Sequence, residues 1–382
     1  MIVLRAATLL GLALWAFPAD AHHRQTPPVV PVLAPPDAFL PRVAAFHGRL
    51  VLALGSPGSR QIFRRERDNV TLTPLTTSGD NADPVASATG KVVAWDSDAD
   101  LLGDGDTGRQ VYVQTGTTLA QPAHDATGTS TNPAMDARGR VLALQSRGDL
   151  AGTGALGTSQ IYLRGLDGSL TQVSRGAGDS GNPAFDRFGK TLVFDSTSDP
   201  STGADTGVSQ IWIAGAGVAP VAVTNGLGSS RRPAISPRGR FVAFESTADL
   251  AGAGTDTGVP QVFVYDRLSG NQARVTNEPG GCTEPTVDEV PGDTRVVFVC
   301  GGVGLLHRLR ADQRFRLPVD GGTTAQAVAE LGNFFVAVST TADVLHDGWP
   351  AGFRIYQLNL YKLAAVPVAG SATWSPDPAF RP

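Results

Sequence analysis

Three short apolar runs recur along the chain in the same surroundings: Val92-Val93-Ala94-Trp95, Thr191-Leu192-Val193-Phe194 and Phe241-Val242-Ala243-Phe244. A strand with one wet face alternates apolar and polar residues, so unbroken runs of this length predict strands covered on both faces. A turn glycine followed by a basic residue precedes the runs, as in Gly90-Lys91, Gly139-Arg140, Gly189-Lys190 and Gly239-Arg240. Asp136-Ala137-Arg138-Gly139 and Asp186-Arg187-Phe188-Gly189 read as hairpin loops in which the carboxylate closes an Asx turn and glycine takes positive φ. Each run leads into a polar loop with a recurring Ser and Asp: Ser97 and Asp100, Ser146 and Asp149, Ser196 and Asp199, Ser246 and Asp249. A third strand then opens on Gln61, Gln110, Gln160, Gln210 or Gln261, each followed by an aliphatic and an aromatic residue. A fourth strand, such as Ala219 to Val223, closes the unit.

The period is set by Pro84, Pro133, Pro183, Pro233 and Pro285, spaced 49, 50, 50 and 52 residues apart, each with a glycine five residues before it. Gly48-Arg49, Gly292 and Gly332 extend the series at both ends, for seven units in all. Repeated units of four antiparallel strands without helices predict an all-β fold, a β-propeller in which each blade buries its faces against its neighbours. Seven blades are expected over residues 38–79, 80–129, 130–179, 180–229, 230–280, 281–322 and 323–368, followed by a tail over 369–382. Six blades with a loose terminal hairpin are the alternative. The extended segment Pro28 to Leu33 is expected to pair with the last blade and lock the ring.

The pattern Asn-Pro-Ala, Asp-x-x-Gly-Lys/Arg, aliphatic-Ala-Phe-x-Ser and Asp-Thr-x-Gly before an aromatic strand resembles the WD-like repeat of TolB-type propellers. It is most similar to bacterial exported proteins with tandem propeller repeats. The match covers about residues 38 to 361 and is specific for fold. Gln stands where that repeat usually has Asp, and units six and seven lose much of the loop motif, so no ligand set built on that Asp carries over. The resemblance implies a propeller that binds other molecules.

The chain ends add a compartment. Arg5, the apolar run Ala6 to Phe17 and Ala19-Asp20-Ala21 predict a signal peptide over residues 1–21, whose apolar run of about 12 residues is too short to span a bilayer. Residues 22–37, with five prolines from Pro27 to Pro36, read as an extended lead-in. The expected location is the periplasm or outside the cell, with no membrane insertion after cleavage. The chain has two cysteines, Cys282 and Cys300, placed symmetrically about the turn Pro291-Gly292. An oxidising compartment would let them pair. The formal net charge is −4 and no Lys/Arg run is long enough to track a phosphate backbone, which argues against nucleic acid as a partner.

Candidate chemistry is sparse. Gly178-Asp179-Ser180-Gly181-Asn182-Pro183 resembles the surroundings of a chymotrypsin-like nucleophile. Three other units carry a similar segment at the same phase, whereas a nucleophile needs one base and one oxyanion hole, so a recurring turn is the better reading. No Gly-x-Ser-x-Gly elbow follows the predicted cleavage point. Asp98, Asp100, Asp104 and Asp106 crowd one loop, where hard cations such as Ca²⁺ find carboxylate oxygens. No cofactor is expected, with Ca²⁺ in this second-blade loop as the alternative to self-capping turns. Asp96, Asp195 and Glu245, with Gln145 at the matching place in unit three, end equivalent strands. They form either an acidic binding arc or a set of solvated strand ends. His47, His124, His307 and His346 fall at different phases without metal-ligand spacing and are assigned no role. Together these features predict a monomeric, non-catalytic propeller that binds a protein or peptide on its long-loop face or tunnel mouth. The alternatives are a glycan-active lyase or hydrolase using channel carboxylates, or a purely structural envelope module.

Overall fold

The computed structural model describes residues 29–32, 38–43, 50–65, 72–124, 129–152, 157–165, 168–215, 217–250, 258–290, 293–317, 329–332, 335–340, 354–359 and 366–367. The predicted signal peptide and the tail over 369–382 lie outside the described residues. The described strands form seven antiparallel sheets, six with four strands and one with five. Blade four shows the plan: an inner strand Ser180–Phe185, a second Thr191–Ser198, a third Asp205–Gly215 and an outer strand Val218–Ala222. The inner strands of successive blades touch one another around the molecule, and that of the first blade, Ala38–Val43, touches that of the seventh, Ala329–Gly332. The ring is closed and the propeller has seven blades, not six.

Blade seven takes three strands from the end of the chain and its outer strand, Val29–Val32, from the beginning. Val29 lies opposite Leu358 and Val32 opposite Ile355 in antiparallel register. Pro31 lies on a sheet edge, the place in a sheet where proline is tolerated. The proline-rich lead-in thus supplies a blade strand. Val366–Pro367 adds the fifth strand to blade six, beside Gln313–Arg316.

The core lies in the seams between blades, as the unbroken apolar runs require. Trp95, Phe194 and Phe244, each from a second strand, are buried. Between blades four and five, Val193 and Ile211 pack with Ile235, Val242, Phe244 and Phe263, and the two phenylalanine rings stack 5.9 Å apart. The glutamine that opens the third strand ties the blade to the link that follows it in blades one, three, four and five. Gln210 Nε2 donates to the Gly226 carbonyl at 2.8 Å and its Oε1 accepts from Thr224 Oγ1 at 2.6 Å, while Thr224 Oγ1 accepts from the Ile211 N–H at 2.9 Å. The same arrangement joins Gln261, Thr276 and Val262 in blade five. The recurring glutamine therefore has a structural use. Cys282 and Cys300 lie opposite each other on the first two strands of blade six and form a disulfide.

Candidate functional site

The residue before the repeat proline is in the left-handed region in five blades: Asp83, Asn132, Asn182, Arg232 and Glu284, with φ between 46° and 55°. That conformation is uncommon for any residue with a Cβ and is disfavoured again before proline. It breaks the ladder between the inner and second strands, as between Gly181 and Ala184 and between Arg231 and Ala234. At such a bulge a backbone N–H leaves its own sheet. Here it crosses to the neighbouring blade. The Arg232 N–H donates to Asp195 Oδ2 at 2.9 Å, that of Glu284 to Glu245 Oε2 at 3.1 Å, and that of Asn132 to Asp96 Oδ2 at 3.4 Å.

Asp96, Asp195 and Glu245 are therefore clasps across the seams, buried to 1%, 8% and 9% exposure, and the expectation of solvated strand ends does not hold. Three further donors complete them: Asn182 Nδ2 reaches Asp195 Oδ2 at 2.8 Å, Arg109 Nε lies 3.0 Å from Asp96 Oδ1, and Arg232 Nη1 lies 3.4 Å from Glu245 Oε1. In unit three Gln145 takes the same place and accepts from Asn132 Nδ2 at 3.0 Å. Burial pushes the Asp195 carboxyl up to about 6, against the lowering effect of Asn182 and the Arg232 N–H. Burial and the nearby Asp83 carboxylate raise Asp96, while Arg109 opposes them.

Because the Asp195 value is raised from 3.8, the folded chain holds a proton between about pH 4 and 6 that the unfolded chain has lost, and stability falls as pH rises through that window. Thermal melts of the native chain and Asp195→Asn are expected to diverge in favour of the variant between pH 4 and 6 and to run parallel above about 7. A constant difference across the range would rule the buried titration out.

Beside Asp96 an ionic network joins blades one and two. Arg60 holds Asp80 through Nε at 2.8 Å and Nη2 at 2.6 Å, and Arg109 Nη2 reaches Asp80 Oδ2 at 2.9 Å. The Arg60 bonds hold the Asp80 carboxyl well below the usual carboxylate range. The serine of the protease-like segment is structural: Ser180 Oγ donates to Ser196 Oγ at 2.9 Å, and the buried pairs Ser130–Ser146 and Ser230–Ser246 repeat the contact.

The four aspartates of the second-blade loop do not converge. Asp100 accepts from the Gly103, Asp104 and Gly105 N–H groups, the self-capping turn weighed against Ca²⁺. Asp98 accepts from the Asp80 N–H at 2.6 Å. Asp104 and Asp106 meet His124 instead, a residue given no role from the sequence.

The opposite face carries the turns between inner and second strands. Hydrogen bonds chain four of these turns, in blades two to five: the Ala88 N–H donates to the Ala137 carbonyl at 2.7 Å, the Ala137 N–H to that of Arg187 at 3.2 Å, and the Arg187 N–H to that of Pro237 at 3.0 Å. Their carboxylates are engaged internally. Asp136 Oδ1 accepts from the Arg140 and Val141 N–H groups, and Asp186 Oδ1 from those of Phe188 and Lys190. Lys91, Arg138, Arg140, Lys190 and Arg238 are exposed on the same turns. Among the described residues no carboxylate pairs with any of the five. Phe188 is 48% exposed in their midst, with the Arg187 guanidinium 5.3 Å from its ring centre. Leu268, also exposed, stands on a neighbouring hairpin whose Arg267 donates to the Gly239 carbonyl.

No protein-family model and no curated protein matches the chain. Solved structures do: an oligogalacturonate lyase from Vibrio parahaemolyticus is 12% identical over 87% of this chain and 93% of its own, with a TM-score of 0.58. The β-propeller domain of the Trilobed protease from Pyrococcus furiosus is 10% identical over 87% and 97%, with a TM-score of 0.56. A putative TolB from Agrobacterium tumefaciens is 18% identical over 64% and 86%, with a TM-score of 0.46. The chain has the propeller fold. At these identities the fold alone is shared. The Pyrococcus domain is described as having an open velcro topology, whereas here Val29–Val32 closes the ring.

Proposed function

We propose that this chain is an exported, non-catalytic propeller that docks an acidic protein or peptide segment on the face formed by its inner hairpin turns. The observation that carries the reading is the group of five exposed cations on four hydrogen-bonded turns around an exposed phenylalanine. Cations whose neighbouring carboxylates are already committed leave a positive surface, and an aromatic with an arginine beside it supplies the apolar anchor that docking sites favour. The long-loop face, favoured from the sequence alone, is less suited. Its Asp100 and Asp199 are occupied by their own backbone, and Arg147 is paired with Asp179. The buried carboxylates at the seams favour binding over acid–base chemistry, since each already accepts a backbone N–H. The disulfide fits an oxidising compartment.

A dye-labelled, glutamate-rich peptide containing one tyrosine is the probe. Anisotropy should show saturable binding that weakens with added salt and falls at least about tenfold in the triple variant Arg138→Glu, Lys190→Glu, Arg238→Glu. Equal affinity for native and triple variant, or no binding at low salt, would remove the docking face.

A further inference from the structure

Among the described residues, Asp104, Asp106 and His124 bring their ligand atoms within 4.8 Å of one another. Asp104 and Asp106 come from the long loop between the second and third strands of blade two, and His124 from the link that follows its outer strand Thr118–Ala120. Both connections lie at the same end of a four-stranded meander, so the second folds over the first. His124 Nδ1 is 3.3 Å from Asp106 Oδ1 and 3.5 Å from Asp104 Oδ2.

The Asp106 side chain is fully buried although it sits in a surface loop. Its Oδ2 accepts from Gln121 Nε2 at 2.6 Å, but Oδ1, equally buried, has no hydrogen-bond partner and faces the imidazole nitrogen. A carboxylate oxygen removed from water with no donor is costly. A cation held between the three groups would satisfy it. In tetrahedral zinc sites the metal lies about 2.0–2.2 Å from nitrogen and oxygen ligands, which sets neighbouring ligand atoms about 3.3–3.6 Å apart. The two distances to His124 Nδ1 match that edge. Gln121 supplies the outer contact that orients a ligating carboxylate.

We propose that Asp104, Asp106 and His124 form a binding site for a divalent transition-metal ion of the Zn²⁺ type, with any remaining position left to water or an incoming group. One imidazole with two carboxylates suits such an ion better than Ca²⁺, which takes six or more oxygens. The two further aspartates that would have supplied those oxygens, Asp98 and Asp100, are bound to backbone N–H groups. The site is on the face opposite the basic turns and stands independently of the docking reading.

Calorimetric titration of the metal-free chain with Zn²⁺, in the presence of excess Ca²⁺, tests it. One Zn²⁺ per chain is expected, weakened at least about tenfold by His124→Ala and by Asp106→Asn and unchanged by Asp199→Asn in the corresponding loop of blade four. The half-exposed His124 side chain makes His124→Ala the safer variant should Asp106→Asn disturb folding. Absence of saturable uptake would overturn the site, leaving a histidine–carboxylate ion pair as the role of the cluster. So would uptake retained by His124→Ala, or uptake abolished by Ca²⁺.

Discussion

Replacing Phe244 with alanine will lower the unfolding free energy by about 3–5 kcal/mol, the range for deleting a large aromatic from a packed core. Phe244 is fully buried in the seam between blades four and five, stacked on Phe263 and surrounded by Val193, Ile211, Ile235 and Val242. Those neighbours belong to rigid strands of two sheets, which cannot close on the void without shifting the seam. Denaturant unfolding followed by tryptophan fluorescence measures the effect. A loss under about 1 kcal/mol would mean that the seam collapses freely and is not packed as described. Phe244→Leu should recover part of the loss, since it restores most of the volume.

Asp80→Ala is expected to cost about 3 kcal/mol, at the lower end of the range for breaking a buried ion pair. The carboxylate accepts from the Arg60 backbone and side chain and from Arg109. Its removal leaves two guanidinium groups, 17% and 20% exposed, without their shared carboxylate, while Arg109 keeps Asp96 at 3.0 Å. The pH dependence has a definite sign. The Asp80 carboxyl is lowered in the folded chain, so its stabilising effect is present above its unfolded value of 3.8 and fades as pH falls below it. The gap between native chain and variant should narrow in acid. The cycle with Arg60→Ala isolates the pair, and a coupling energy near zero would show the contact to be idle.

Most of the architecture was legible because propellers repeat. The proline period, the turn glycines and the apolar runs are one unit written several times, and the cysteines sit at matching distances from a turn. Side-chain direction at the second-strand ends was not legible. In those strands nearly every position is buried, as in Phe241–Ser246, so no alternation reveals which way Asp96, Asp195 or Glu245 faces. Their partners are backbone N–H groups released by a left-handed residue before proline, a conformation that sequence rules disfavour. His124 carries no signal in the sequence, because its spacing from Asp104 and Asp106 matches no metal motif and the contact depends on one loop folding over another. The one hint is indirect: the extra aspartates and the histidine are departures from the repeat in the same unit. The Gly-Lys/Arg pairs announce turn chemistry in the sequence, while their accumulation on one face follows only once the turns are ringed.

The strand Val29–Val32 gives the ring a seam made of the first and last parts of the chain. Blades two to five can form as their residues appear, each from one continuous stretch. Blade seven cannot, because its outer strand leaves the ribosome first and must wait for Arg354–Asn359 before it has a partner. Until then the early strand offers an unpaired edge, a hazard for misassembly in any crowded compartment. A circularly permuted chain opened within a different blade would make that blade the one that waits, while leaving the finished ring the same.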